Sequence, residues 1–188
     1  MFSRIRSYFL ADRPLWMTIA GAAGVLLLIV WLILAWHWSR LPDVFWVESE
    51  VDGRKVVGYA TVDSLVQVAD TLLEKPGGYL YNDKTPPSVV LDNMPNWELG
   101  VLQQVRDLAR VIRNDYSRSQ SQSREDEDVS VAEPKFFFSE NYWILPPTES
   151  RYREAVEGFA QYRDRLAGRS QPDAQFFARA DNLREWLA

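Results

Sequence analysis

The 188-residue chain contains no cysteine and a single histidine, His37. Without cysteine there is no disulfide, no thiolate zinc site, no thiol nucleophile and no lipid attachment through sulfur. That absence fits reducing and oxidising compartments alike. One histidine leaves no room for a clustered histidine metal site and all but removes Ser-His-Asp catalysis. Charge is missing from one long stretch: no residue from Pro14 to Trp36 is ionisable as a strong acid or base. Basic residues are in deficit in the body, where residues 44–188 hold 17 Lys and Arg against 24 Asp and Glu. An acidic body excludes the electrostatic footprint of a nucleic-acid binder, and it does not suit lying flat on anionic lipid. No periodic repeat is visible.

The uncharged stretch, "PLWMTIAGAAGVLLLIVWLILAW", is long enough to cross a bilayer. At about 1.5 Å per residue, the steps from Trp16 to Trp36 cover roughly 30 Å. Trp16 at one end, with Trp36 and Trp38 at the other, stand where indoles prefer the interface. A signal peptide has a shorter apolar core and a small-residue cleavage site, whereas "AWHWSR" is bulky. Arg4, Arg6 and Arg13 precede the span and Arg40 alone follows closely. The positive-inside rule therefore places residues 1–13 in the cytoplasm and the body outside it. Ala20 and Gly24, four apart among small residues, form a possible helix–helix contact for a homo-oligomer. His37 reads as an interfacial polar residue, not a ligand.

Beyond the span, "FWVESEVDGRKVVGYA" predicts a membrane-proximal hairpin within 39–60, turning on Asp52-Gly53. A helical domain over 61–188 follows. Its first helix is expected to be capped by Thr61, with Val62, Leu65, Val66, Ala69, Leu72 and Leu73 inward and a stop at Lys75-Pro76-Gly77-Gly78. A second begins near Asn96 or Trp97 and buries Val101, Leu102, Val105, Leu108, Ala109, Ile112 and Tyr116. Ser123 is expected to cap a short helix that Pro134 ends. A small hairpin is expected around Glu140-Asn141, then a helix capped by Thr148 that buries Tyr152, Ala155, Val156, Phe159, Tyr162 and Leu166. A last helix, with Pro172 near its first position, carries Phe176, Ala180, Leu183 and Leu187 on one face and pairs with its predecessor. That stripe reaches Ala188 without a stop signal, so the chain is expected to continue in a longer protein. The fold class is mainly α: a transmembrane helix over 14–38 and a helical body with one or two small hairpins.

Candidate sites are few. Arg106, Arg110 and Arg113 recur at helical spacing and could meet an anionic lipid or glycan; solvated or acid-paired, they would bind nothing. Asp126, Asp128 and Ser130 have the alternation of a calcium loop, but Val131 and Phe137 stand where glycine and a bidentate glutamate are needed. Gly77-Gly78 follows a helix instead of opening one, which does not suit a phosphate cradle. Glu154 and Glu157, one turn apart, could serve carboxylate hydrolysis, but paired acids on a helix are ordinary surface chemistry. No cofactor and no metal is expected.

The blocks "KPGGYL", "LDNMPNWELGVLQQVRDLAR", "DYSRSQSQS", "AEPKF", "WILPPTES" and "AQFFARADNLREWLA" resemble a family of uncharacterised bacterial single-pass inner-membrane proteins, a domain of unknown function. The resemblance covers roughly residues 56–188. It implies one N-terminal span, a helical periplasmic body and no established catalytic residues. It also implies that "SRSQSQS" is an ordered surface element and not a free linker. The expectation is a membrane-anchored, non-enzymatic envelope protein whose partners are the bilayer and other envelope proteins. An anion-binding module and a carboxylate hydrolase stand as alternatives.

Overall fold

The computed structural model describes residues 14–118, 124–170, 173–178 and 184. Helix α1, Leu15–Trp38, opens after Pro14, whose carbonyl accepts the Met17 amide at 2.8 Å. It closes where the Ser39 hydroxyl and amide both bond to the Ala35 carbonyl. None of its residues is buried by the rest of the chain. An apolar helix with no buried face has no core to serve within its own fold. Arg40 folds back over the Trp36 ring at 3.8 Å, so the first cation after the helix caps its last turn.

The expected hairpin is present. Strands β1, Glu50–Val51, and β2, Arg54–Lys55, pair antiparallel. Asp52 and Gly53 both take positive φ, 50° and 71°, as a two-residue turn of this type requires. Val51 packs with Tyr59 and Ala167 in a small satellite cluster beside the main core.

The body is a ring of four helices: α2, Tyr59–Glu74; α3, Asn93–Val111; α4, Glu127–Phe136; and α5, Thr148–Leu166. α2 packs against α3 and α5, and α4 against the same two. All six predicted α2 positions are buried, as are Leu102, Val105, Ala109, Ile112 and Tyr116 from the second stripe. Val101, Leu108 and Leu166 are partly buried against the same core. α3 ends in one π-turn, Ile112–Tyr116, where the Ser117 amide reaches back to the Ile112 carbonyl. The wider turn keeps both Ile112 and Tyr116 inside the core. Helices α4 and α5 touch at Gly158, where an added Cβ would come within 2.5 Å of the Ala132 Cβ.

Several expectations fail. α2 starts at Tyr59 after Gly58, not at Thr61, because Gly58 supplies the left-handed turn at φ 82°. α3 starts at Asn93, three residues before Asn96. α4 is capped by Asp126, whose carboxylate accepts the Asp128 and Val129 amides; Ser123 lies outside the described residues. Pro134 sits inside α4, which runs on to Phe136. The ring of Phe136 is buried between Tyr152 and Phe159, and that packing outweighs the lost backbone bond. No hairpin forms at Glu140-Asn141: the segment is a turn with no strand on either side. Thr148 does not cap α5. Its hydroxyl donates to the Ser139 carbonyl and accepts the Tyr142 amide, closing that turn. Residues 174–178 are not helical. Phe176 stacks on Tyr116 with ring centroids 4.8 Å apart, and the Phe177 amide bonds to the Tyr116 carbonyl at 2.8 Å. Pro172, Ala180, Leu183 and Leu187, the N-terminal residues 1–13, and most of "SRSQSQS" fall outside the described residues.

Candidate functional site

The densest buried polar chemistry gathers where α2 stops. Lys75, Pro76, Gly77 and Gly78 turn the chain back, and both glycines hold positive φ. The turn is clamped from α3 by Glu98, which is 0% exposed. Its carboxylate accepts the Leu80 amide at 2.9 Å and the Tyr81 amide at 2.7 Å, and pairs with the Lys75 ammonium, which also donates to the Gly78 carbonyl. Burial raises the Glu98 carboxyl above its ordinary range, while Lys75 and the two amides oppose that shift. Residues of the "KPGGYL" and "NWELG" blocks therefore form one structural unit.

Beside the clamp, Arg106 acts as an internal strut. It is 8% exposed. Its guanidinium donates to the Phe136 carbonyl at 2.7 Å, the Phe138 carbonyl at 3.0 Å, and the Glu140 carboxylate and Tyr152 hydroxyl at 3.2 Å each. Tyr152 is pushed up to about 12, first by burial. Tyr79 meets Tyr152 edge-on, and burial raises it as well. Asn82, fully buried, donates to the Tyr142 carbonyl and to Glu149. These bonds tie the loop after α2 to the loop before α5.

The predicted arginine row divides three ways. Arg106 is inside, as described. Arg110 is exposed and lies over the Phe137 ring at 4.5 Å. Arg113 bonds to Glu133 at 2.8 Å and Glu125 at 3.0 Å. The acids that hold Arg106 and Arg113 come from other elements, not from Asp107 on the same helix. The calcium-like acids have a comparable fate. Asp126 and Asp128 both hold Arg165, which Asp173 also holds. They line a cleft of about 330 Å³ with Arg124 and Glu125. Among the described residues no group of three or more His, Asp or Glu side chains is placed to hold a metal ion.

Glu154 and Glu157 face an open groove between α4 and α5. Glu154 pairs with Lys135 at 3.1 Å and Arg151 at 3.2 Å, and the Lys135 hydrogen bond keeps it below the ordinary glutamate range. A carboxyl so held stays ionised and is ill suited to donate a proton. On α1, Ala20 and Gly24 lie one turn apart, with open space around Gly24.

The arrangement is that of a helical-bundle body joined to one apolar N-terminal helix, with its polar side chains engaged mainly in holding the fold. The chain belongs to the bacterial family described as an uncharacterized protein conserved in bacteria (DUF2333), which matches residues 11–188. No curated protein and no solved structure matches it. Sequence reading missed the Glu98 clamp. Its only local signal was a glutamate on the predicted inward side of an amphipathic helix, seventeen to eighteen residues after the amides that it accepts.

Proposed function

We propose that this chain is a single-pass envelope protein of the bacterial inner membrane, with a cytoplasmic N-terminus and a periplasmic body that serves as a non-enzymatic interaction or scaffold module. The observation that carries the reading is α1. It has 24 residues, no charge between Pro14 and Trp36, and no side chain buried by the body. Such a helix is stable in water only if something else covers it, and a bilayer does so at matching length. The arginines ahead of it support the orientation. The non-enzymatic part is supported by the engagement of the body's best-placed acids and cations with one another. Partners on this reading are the bilayer and other envelope proteins, with self-association through Ala20 and Gly24 as one route.

An anionic lipid or glycan as ligand has weaker support. Arg106 and Arg113 already have internal acceptors, so a bound anion would have to displace them. Of the three, Arg110 alone presents an exposed guanidinium. Reporter fusions after Ala188 test the topology: a reporter active only after export should work, and one active only in the cytoplasm should not. The reverse pattern refutes the orientation. Affinity purification of the anchored protein then tests the interaction role, which predicts reproducible envelope partners.

A further inference from the structure

Outside α1, large apolar side chains are exposed mainly in two places. One is the segment that leaves the helix, where Leu41 and Val44 are exposed and Trp46 is 89% exposed. The other is a double loop on the body. Tyr142 and Trp143 are partly exposed, Ile144 is 60% exposed and Leu145 is 86% exposed. Beside them Val89 and Val90 are exposed in the single 3₁₀ turn Ser88–Val90. The two loops are joined at their base, where the Asn82 side chain donates to the Tyr142 carbonyl at 2.8 Å, and the Ser88 and Trp143 side chains both oppose the burial-driven rise of the Asp83 carboxyl. Neither loop carries charge at its tip. Residues 85–91 and 141–148 contain no Asp, Glu, Lys or Arg.

The position of this rim is set by the end of α1. Trp38 lies so close to Gly77 that an added Cβ would come within 2.8 Å of its indole. Asp83, at the base of the rim, follows Gly77 by six residues, which limits the distance from the anchor's exit to the base of the rim to about 20 Å. Over that distance the chain is stiffened by the Glu98 clamp and by the Asn82 bond to the Tyr142 carbonyl.

We propose that the rim formed by Val89, Val90, Trp143, Ile144 and Leu145 is a second membrane contact, seated in the interfacial layer of the bilayer that α1 crosses. This rests on the reading of α1 as a membrane span. The chemistry fits lipid. Trp and Tyr flank aliphatic tips, as at a water–hydrocarbon boundary, and no charge has to be desolvated on entry. A rim of this size left in water would be an aggregation liability on a protein held at high local density in a membrane. The body's acidity does not oppose the seat, because no acid lies at either tip.

The absence of cysteine makes the test direct. Single substitutions Ile144→Cys, Val90→Cys, Leu27→Cys and Glu157→Cys are made in the full chain, spin-labelled, and reconstituted in vesicles of phosphatidylethanolamine and phosphatidylglycerol. Collision with oxygen, which concentrates in lipid, is compared with collision with a water-soluble nickel chelate. The oxygen-to-nickel ratio at Ile144 and Val90 is expected to exceed that at Glu157 several-fold and to approach that at Leu27. A water-like ratio at both rim sites, with a lipid-like ratio at Leu27, overturns the second contact and leaves the anchor standing. A water-like ratio at Leu27 overturns the anchor and the rim together. Low access to both reagents at the rim would mean that protein covers it, and would likewise overturn the proposal.

Discussion

Replacing Glu98 by alanine should be among the most damaging single changes in the body, and its cost follows from what Glu98 holds. The substitution leaves the Leu80 and Tyr81 amides without their buried acceptor and leaves Lys75 with only the Gly78 carbonyl. Stranding one member of a buried ion pair costs about 3–5 kcal/mol, and each unmet buried amide about 1–3 kcal/mol. The loop can open and Lys75 can lose its proton, so the terms do not sum; the expected loss is about 4 kcal/mol. Lys75→Met should cost less, about 2 kcal/mol, because Glu98 keeps both amides. The pair Lys75→Met with Glu98→Gln should be less damaged than Glu98→Ala alone, since no stranded charge remains. The sign of the pH effect also follows. Burial raises the folded-state pKa of Glu98, so its share of stability is full below the unfolded pKa and is lost as pH rises through the folded one. Lys75→Met removes the opposing cation, so that variant should regain stability on acidification through this window. Equilibrium urea unfolding of the full chain in mild detergent, followed by tryptophan fluorescence, measures all of these. If Glu98→Ala falls within about 1 kcal/mol of the parent, or if Lys75→Met is the worse variant, the account of the clamp is wrong.

Arg106→Gln should cost about 3 kcal/mol, while Arg110→Gln should cost under about 1 kcal/mol, because one is a buried strut and the other an exposed ring contact; the same unfolding assay separates them, and equal losses would refute the distinction. Gly158→Val should destabilise by about 1–3 kcal/mol through overpacking against Ala132, with partial recovery when Ala132→Gly is added. Glu140 is held below its ordinary range by its own backbone amide, with Arg106 adding to the effect. Its contribution is therefore present above the unfolded glutamate pKa and is lost as pH falls through the lowered one. The gap in stability between the parent and Glu140→Gln should shrink on acidification; a gap that widens would contradict the assignment.

The helices whose apolar residues recur every three or four positions were legible because burial writes directly into that spacing. Val62 to Leu73 and Leu102 to Tyr116 are examples. The Asp52-Gly53 turn was legible because positive φ restricts the choice of residue. What escaped depends on contacts distant in sequence. The acceptors of Arg106 lie thirty or more residues away, so no local window shows whether its guanidinium meets water or protein. The run "FFF" has strand composition, yet Phe136 finishes a helix because a pocket between Tyr152 and Phe159 receives it. Pro172 and the following periodicity suggested a helix, but at 174–178 the ring of Tyr116, its carbonyl bonded to the Phe177 amide, and the Tyr162 hydroxyl bonded to the Gln175 carbonyl hold the chain out of helix. In each case a specific tertiary partner outweighed a local preference.

The seat of Trp38 against Gly77 has a consequence for encounters at the membrane. A body hung on a slack tether would tumble, and each meeting with a neighbour would have to stop that tumbling at an entropic cost. With the indole set against the turn that Glu98 holds, the swing of the body about the anchor's exit is restricted. For a chain anchored as proposed, the search for a partner then becomes a two-dimensional one, over a narrowed range of heights and orientations. Widening residue 77 beyond glycine would return that freedom to the body, and it would be felt as slower, weaker association without any change at the surface that makes the contact.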